Sequence, residues 1–206
     1  MIALIDYKAG NLTSVRKAFA ALGAELFTPE RPDELATADA IVVPGVGHFG
    51  ATKALGPEWI AAILGRVGEL RPLLGICLGM QWLFEGSEEA PDLPGLGLLS
   101  GQCYKLPSRP RGAARVDEVK IPHVGWNSLD VQRENTIVAD VVDHSQVYFT
   151  HSYVAPVTGD TVAVTTHGEP FASIVQRGHV SGVQFHPEKS GEVGLQVLRN
   201  FLAMVG

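Results

Sequence analysis

The chain has 206 residues, of which 46% are hydrophobic and 18% are charged. This length predicts one well-filled domain spanning residues 1–206 and is too short for two ordinary domains. The formal net charge of −6 gives no electrostatic reason to expect nucleic acid or an anionic membrane as a partner. Cys77 and Cys103 are the two cysteines, and a pair in a chain of this size is not a disulfide framework.

The N-terminal residues 1–6 do not have the basic segment and long apolar run of a signal peptide. No run of about 18 apolar residues occurs either, so no membrane-spanning helix is expected. With no disulfide framework, a reducing compartment is the default. The sequence therefore predicts a cytoplasmic protein that does not engage a membrane.

Strand-like and helix-like segments alternate over the first 85 residues. Strands are predicted at three apolar runs, residues 2–5, 24–27 and 40–43. One helix is predicted from a cap at Asn11 to Gly23, with apolar residues on one face, and a second over residues 59–67. This alternation predicts an α/β fold, with a mainly parallel central sheet and helices on its faces.

The pattern changes after Glu85, where glycine, proline and charged residues dominate as far as Gly95. Short strand-like runs follow at residues 101–106, 116–121, 146–150, 161–166, 171–176 and 180–185. Such runs, separated by turn signals, predict an added antiparallel β region. Residues 108–114 are expected to form an exposed loop, and a final helix begins at about Gly191.

A turn around Cys77 is the first segment with chemical content. The apolar run at residues 73–76 leads into Gly75-x-Cys77-x-Gly79, and a helix-like run follows at 78–84. This is the arrangement of a nucleophile elbow, with Cys in place of Ser. The flanking glycines are expected to let the chain turn tightly, and the helix N-terminus to favour a thiolate. The alternative is a small buried cysteine, since the motif is short.

The segment at residues 182–188 supplies a candidate general base. His186 and Glu188 are two residues apart, so in an extended segment both side chains point the same way. Pro187 disfavours a helical conformation at His186. A histidine oriented by a carboxylate is the general-base half of a catalytic triad. The alternative is a surface His–Glu pair at the end of a strand.

A glycine-rich loop follows the third predicted strand. Gly45 and Gly47 flank Val46, and such glycines let a peptide unit rotate and aim a backbone N–H at a developing oxyanion. If the Val46 peptide has two orientations, the oxyanion hole is unformed in one of them, which predicts a switchable activity. The alternative is a plain loop between a strand and a helix.

The motifs together resemble a known family. In chain order they are Pro-Gly-Val-Gly at 44–47, Gly-Ile-Cys-Leu-Gly-Met-Gln at 75–81 and Gly-Val-Gln-Phe-His-Pro-Glu-Lys-Ser at 182–190. This set resembles the class I (triad) glutamine amidotransferases, which have a flavodoxin-like fold. Three further segments, at 6–12, 123–127 and 151–153, are similar to the glutaminase subunits of imidazole glycerol phosphate synthase. The resemblance runs the length of the chain.

The resemblance implies a Cys-His-Glu triad. Cys77 would attack the carboxamide of L-glutamine, His186 would shuttle the proton, and Glu188 would orient His186. It also implies an oxyanion hole formed by Gly45, Val46, Gly47 and Leu78. The glutamine-binding residues that it implies are Gly79, Gln81, Glu89, His151, Ser152 and Tyr153.

The resemblance further implies a partner. In this family the ammonia passes to a (βα)₈-barrel cyclase subunit, which makes imidazole glycerol phosphate and aminoimidazole carboxamide ribonucleotide in histidine biosynthesis. Lys189 and Gln81 match positions near that interface, and Lys189 and Trp126 are the predicted interface residues. From the residues alone, Lys189 is equally well a solvated charge, and Trp126 either a core or an interface residue. No cofactor is implied, and the spacing of His48, His123 and His144 predicts no metal site.

Three other interpretations compete with this one. The chain is alternatively a triad glutaminase that feeds pyridoxal phosphate, anthranilate or GMP synthesis. It is alternatively a non-catalytic partner-binding module, against which the presence of Cys77, His186 and Glu188 argues. The third alternative is an unrelated cysteine hydrolase, which would not require glutamine.

Overall fold

The first half of the chain builds parallel strands joined by helices. The computed structural model describes residues 1–109 and 118–205. Its first elements are β1 (Ile2–Leu4), α1 (Leu12–Ala21), β2 (Leu26–Phe27), β3 (Ala40–Gly45), α2 (Pro57–Gly68), β4 (Leu73–Cys77) and α3 (Leu78–Trp82). Each lies where the sequence predicts it. Asn11 caps α1 as expected, because its side chain accepts a hydrogen bond from the Ser14 N–H.

The second half is mostly β-structure. Its elements are β5 (Gly86–Ser87), β6 (Gln102–Lys105), β7 (His123–Ser128), β8 (Asp130–Val131), β9 (Gln146–His151), β10 (Tyr153–Val154), β11 (Thr161–His167), β12 (Glu169–Arg177), β13 (Val180–Val183) and α4 (Gly191–Ala203). The strand predicted at 116–121 is wrong over residues 118–121, which are irregular, and its remainder lies outside the described residues. The loop predicted at 108–114 also falls largely outside them.

The main sheet has eight strands in the order β2-β1-β3-β4-β13-β12-β11-β8. Pairing is parallel from β2 through β13 and antiparallel from β13 to β8. The α/β prediction with an added antiparallel region is therefore confirmed. In this register Gly45 at the end of β3 lies beside Cys77 at the end of β4.

Two smaller sheets lie outside the main one. One has the order β10-β6-β5, and the other is the antiparallel pair β7-β9. The β7-β9 register places His123 opposite His151, Val124 opposite Thr150, and Trp126 opposite Tyr148. Residues 123–127 and 151–153, which are far apart in sequence, thereby meet in one region.

Apolar side chains fill both faces of the main sheet. Ile2 and Leu4 point into one cluster with Phe19 of α1 and Phe201 of α4. Ala3 and Ile5 alternate with them and point into a second cluster, which includes Ile63 of α2 and Trp82 of α3. Helices cover both faces, so strands at the centre of the sheet have no solvated side. None of the described helices is long and apolar enough to cross a membrane.

Candidate active site

Cys77 lies at the point where β4 ends and α3 begins. Its backbone has φ 54° and ψ −109°, a region that non-glycine residues rarely occupy and that carries strain. As the sequence predicts, the flanking glycines let the chain turn without a Cβ clash, but the positive φ falls on Cys77 itself, which the sequence did not indicate. Cys77 is buried, with 5% of its surface exposed.

The two glycines around Cys77 allow the turn because the backbone packs closely at both positions. A Cβ at Gly79 would lie 1.8 Å from the Val43 carbonyl oxygen on β3. A Cβ at Gly75 would lie 2.6 Å from the Gly79 carbonyl oxygen. Real Cβ atoms do not approach backbone so closely, so α3 packs against β3 and β4 only because both positions lack a side chain.

His186 and Glu188 form a buried pair. His186 Nδ1 and Glu188 Oε1 are 2.9 Å apart, and the two side chains are 3% and 2% exposed. The structure brings the pair together as the sequence predicts, but for a different reason. His186 is extended, whereas Glu188 lies in a 3₁₀-helix over Pro187–Lys189, so the side chains meet across a turn rather than along a strand.

The backbone of His186 is held on both sides. Its N–H donates to the Tyr148 carbonyl at 2.9 Å, and its carbonyl accepts from Ser190 Oγ at 2.6 Å. Ser190 Oγ in turn accepts from the Tyr148 N–H at 3.0 Å. β9 therefore holds the candidate base His186 directly through Tyr148 and indirectly through Ser190. No sequence motif predicts this link between distant segments.

The protonation of His186 is set by opposing effects. Burial lowers its pKa, but its interactions with Cys77 and with Glu188 outweigh burial and raise the pKa from 6.5 to about 10. The ring therefore carries a positive charge at neutral pH. His186 Nε2 and Glu188 Oε2 are buried and have no hydrogen-bond partner among the described residues.

A cleft of about 290 Å³ opens at Cys77. The lining residues are Gly47, Cys77, Leu78, Gln81, Glu89, Pro122, Thr150, His151, Ser152 and Tyr153. All predicted glutamine-binding residues except Gly79 line it, and Gly79 lies behind the elbow. Glu89 Oε2 accepts the Phe49 N–H at 2.6 Å, and no donor to Oε1 is found within the described residues.

The predicted oxyanion loop has a definite hydrogen bond. The Val46 N–H donates to the Ala9 carbonyl at 3.2 Å, so it is not free to receive an oxyanion. Gly47 has φ +93°, which favours glycine. A Cβ at Gly45 would lie 2.1 Å from the Tyr7 hydroxyl, which is buried and has no partner among the described residues. Burial and the nearby Cys77 raise the pKa of Tyr7, so this hydroxyl is neutral.

Gln184 is a contact of Cys77 that the sequence reasoning missed. Its Nε2 lies 3.6 Å from Cys77 Sγ, and its Oε1 accepts from Gln81 Nε2 at 3.1 Å. Gln81 Nε2 also donates to the Tyr153 carbonyl at 2.8 Å. Gln184 is fully buried, although a polar residue beside a strand gives no sequence signal of burial.

A pair of buried histidines adjoins the cleft. His123 Nδ1 and His151 Nε2 are 3.1 Å apart, and His151 Nδ1 lies 3.1 Å from the Tyr153 carbonyl. Because a carbonyl only accepts, His151 Nδ1 carries the hydrogen, and His123 Nδ1 then donates to His151 Nε2. Asn127 Nδ2, 3.3 Å from His123 Nε2, completes the same direction of donation.

The predicted interface residues lie at the surface near the cleft. Trp126 is 57% exposed, which rules out the core alternative. Exposed Lys189 lies over the ring of Tyr148, and that ring packs edge-to-face with Trp126. Val46 and Val124 are also exposed, the first next to Gly47 of the cleft and the second paired with Thr150 of its lining.

The other residues considered lie apart from this chemistry. Cys103 is fully buried, its Sγ lies 3.7 Å from the Gln81 carbonyl, and burial raises the pKa of its thiol, all of which fit a structural role. The exposed side chains of Asp130, Asp143 and His144 gather on the surface. Asp143 Oδ1 accepts two backbone N–H groups there, so this carboxylate holds a turn.

Comparison with known proteins agrees with this geometry. The family model described as glutamine amidotransferase class-I matches residues 3–205. A crystal structure of a glutamine amidotransferase covers 100% of both chains with a TM-score of 0.74 at 21% identity. The structure of PurLQS from Thermotoga maritima gives a TM-score of 0.75 at 18% identity, covering 100% of this chain and 98% of that one. The chain belongs to the class-I glutamine amidotransferase family.

Full-length relatives narrow the assignment within the family. A protein of Bacillus cereus named imidazole glycerol phosphate synthase subunit HisH is 44% identical over 208 residues, covering 100% of this chain and 95% of its own length. The protein of that name from Methanothermobacter thermautotrophicus is 39% identical over 206 residues, covering 100% and 99%. The chain is a glutamine amidotransferase of this HisH type, the glutaminase subunit class of a multi-subunit synthase in histidine biosynthesis.

Proposed function

We propose that this chain hydrolyses L-glutamine with Cys77 as nucleophile and His186 and Glu188 as the proton-transfer pair. The observation that carries the proposal is the buried His186–Glu188 contact of 2.9 Å beside a cysteine on a strained turn. A positively charged His186 favours a thiolate at Cys77. The glutamine-binding roles of the cleft residues are part of the same proposal.

The reaction proceeds in two halves. Cys77 Sγ forms a bond to the carboxamide carbon of glutamine. His186 gives its proton to the departing nitrogen, the C–N bond breaks, and ammonia and a glutamyl thioester result. His186 then takes a proton from water as the water attacks the thioester. The C–S bond breaks, glutamate leaves, and the proton on His186 restores the starting pair.

The cleft supports binding of an amino acid with two charged ends. The half-buried Glu89 carboxylate suits an α-amino group, and its position is held by the Phe49 N–H. Backbone at residues 151–153 suits the amide or the α-carboxylate end. The Gln81 amide nitrogen already donates to Tyr153 and Gln184, so Gln81 contacts substrate through Oε1 or acts by holding the wall.

A cyclase subunit is the partner in this proposal. Its (βα)₈ barrel would cover the exposed residues around the mouth, namely Trp126, Val124, Val46 and Lys189. Ammonia is a nucleophile only when it is unprotonated, so it must pass between subunits without meeting bulk water. A cytoplasmic location, expected from the sequence, stays part of the proposal.

The oxyanion loop supports a switch within this function. The Val46 N–H is engaged by the Ala9 carbonyl, and it must rotate toward Cys77 to stabilise an oxyanion. The loss of one oxyanion donor costs on the order of 10²–10³ in rate. Binding of the cyclase and of its acceptor ribonucleotide would select the rotated peptide and raise glutamine hydrolysis by that factor.

The test measures glutamate release from glutamine by wild type, Cys77→Ala and Cys103→Ala. Each is assayed alone and with the cyclase subunit plus the acceptor ribonucleotide. We expect hydrolysis by wild type and Cys103→Ala that rises on complex formation, and none by Cys77→Ala. Residual hydrolysis by Cys77→Ala would overturn the proposed nucleophile. Equal rates for wild type with and without partner would overturn the switch alone.

A further inference from the structure

Gln184 occupies a position that the mechanism above does not use. It follows β13, two residues before His186, and its side chain is fully buried beside the elbow. Its backbone N–H donates to the Ser173 carbonyl at 2.9 Å, which holds the Gln184 backbone against the neighbouring strand β12. The side chain extends to Gln81 Nε2 and to Cys77 Sγ.

The direction of the Gln184 amide follows from its surroundings. The Tyr153 carbonyl only accepts, so the amide group of Gln81 that faces it must be the nitrogen. That same nitrogen faces Gln184, whose contacting atom must then be the oxygen. The Gln184 nitrogen is thereby left 3.6 Å from Cys77 Sγ, with its N–H turned to the sulfur.

We infer that Gln184 is a further catalytic residue, which donates an N–H to the Cys77 thiolate, and that Gln81 is the positioning residue that holds it in that orientation. The inference rests on the proposed role of Cys77 as nucleophile. Among the described residues, Cys77 Sγ is the acceptor that this buried N–H meets, and a hydrogen bond to a charged partner is stronger than one to a neutral partner. The donor stabilises the thiolate before glutamine arrives.

Other titratable groups also face Cys77 and must be kept constant in a test. His186 follows β13 and lies near enough to Cys77 for the sulfur to raise the pKa of the imidazole, while its Nδ1 contacts Glu188. The neutral Tyr7 hydroxyl lies on the β1 side, within range of the charge of Cys77. His151 and Glu89 line the same cleft. A substitution at Gln184 leaves all of these side chains in place.

The experiment measures alkylation of Cys77 by iodoacetamide against pH, with the Cys77 peptide quantified by mass spectrometry. Gln184→Met keeps the length of the side chain and removes the donor. We expect the midpoint pH of alkylation to rise by about one unit, the size expected for a lost hydrogen bond to a charged group. Gln132→Met, an exposed glutamine on the surface, is the matched control and should show the wild-type midpoint.

A second variant keeps the test decisive if Gln184→Met does not fold. Gln184→Glu has nearly the same shape, and a carboxylate oxygen can still accept from Gln81, but it presents an acceptor to the sulfur. We expect a larger upward shift than for Gln184→Met, and a smaller one for Gln81→Met, which frees the Gln184 amide to rotate. A midpoint unchanged in every folded variant would overturn the inference.

Steady-state glutamine hydrolysis with the cyclase separates this inference from the proposed function. Loss of the donor is expected to lower kcat by up to about tenfold at pH values below the measured alkylation midpoint, where the thiolate fraction follows that midpoint, with little change in KM. Wild-type protein that hydrolyses glutamine while the Gln184 variants keep its midpoint leaves the proposed function standing and removes this inference. Wild-type protein whose Cys77 shows a Gln184-dependent midpoint but which never hydrolyses glutamine removes the proposed function, and with it the catalytic role of Gln184, and leaves only the hydrogen bond to the sulfur.

Discussion

At the scale of single residues, the candidate catalytic groups lie where the backbone conformation and the burial of charge cost the most free energy. A positive φ at a non-glycine residue costs roughly 1–3 kcal/mol, and Cys77 has φ 54°. The imidazole of His186 and the carboxylate of Glu188 are almost entirely removed from water. Each of these two charges can be buried because the other lies beside it, since burying an unpaired charge costs far more free energy than burying a paired one.

The protonation state of His186 is directly measurable. In ¹H–¹⁵N spectra of the imidazole groups we expect His186 to stay protonated through neutral pH and to titrate near 10. In Cys77→Ala the midpoint falls, because one of the groups that favour the imidazolium is gone while burial still opposes it. His123, whose pKa burial lowers to about 4, is the internal control and should not respond. A wild-type His186 that titrates at its ordinary 6.5 would contradict the buried pair.

At the scale of elements, the elbow depends on how closely α3 lies against β3. The parallel register sets Gly45 beside Cys77 at the ends of two neighbouring strands. Gly79 on α3 then lies against the Val43 carbonyl with no room for a methyl group. The thiol is therefore positioned by backbone-to-backbone packing rather than by its own side-chain contacts, and rigid elements hold a site more accurately than loops do.

Two glycine substitutions separate this packing from ordinary helix propensity. Gly79→Ala places a Cβ 1.8 Å from a carbonyl oxygen, and we expect it to destabilise the fold by about 3 kcal/mol. Gly65→Ala, in α2, meets no atom within 4 Å and should stabilise by about 0.5–1 kcal/mol. Urea unfolding followed by circular dichroism measures both, and equal effects of the two changes would refute the packing argument.

At the scale of the whole molecule, the site draws on segments from both halves of the chain. β1, β3 and β4 bring Tyr7, Gly45 and Cys77 together from the first half. β9 and β13 bring His151 and His186 from the second half, across the antiparallel extension. The buried histidines between β7 and β9 are part of this assembly, and they tie its stability to pH.

Acid should weaken the fold before it protonates the carboxylates. Burial lowers the pKa of His123 to about 4 and that of His151 well below 6.5. Between pH 6.5 and 4 the unfolded chain therefore binds more protons than the folded chain does. The free energy of unfolding thus decreases as the pH is lowered through that window. The slope is at most about 1.4 kcal/mol per pH unit for each histidine.

His123→Phe tests this dependence. The variant loses stability at every pH because Asn127 and His151 lose a partner, but its slope between pH 6.5 and 4 should be shallower than in wild type. His144→Asn is the control, since His144 is exposed and has a positive φ that asparagine tolerates. Urea midpoints measured across the window decide the matter, and parallel slopes in all three proteins would rule out the buried pair as the source.

Part of the candidate site can be predicted from the sequence because it depends on residues that are close together in the chain. A strand, a turn and a helix in immediate succession place Cys77 at an elbow whatever the rest of the chain does. His186 and Glu188 lie close together because they are only two residues apart in the chain. The segment that joins them is a 3₁₀-helix rather than the predicted strand. The glycine loop was readable too, but the bond between Val46 and Ala9 was not, since it joins two separate loops.

The sequence by itself determined the α/β alternation, the elbow, the His–Glu pair and the family, because these depend on periodicity and on neighbours a few residues apart. The tertiary structure alone decided that Cys77 takes the strain, that Gln184 is buried against its sulfur, and that Trp126 is exposed. It also decided the pairing of His123 with His151. These facts depend on which strands become neighbours and which faces are covered, and contacts between residues about 30 to 110 positions apart leave no local pattern to read.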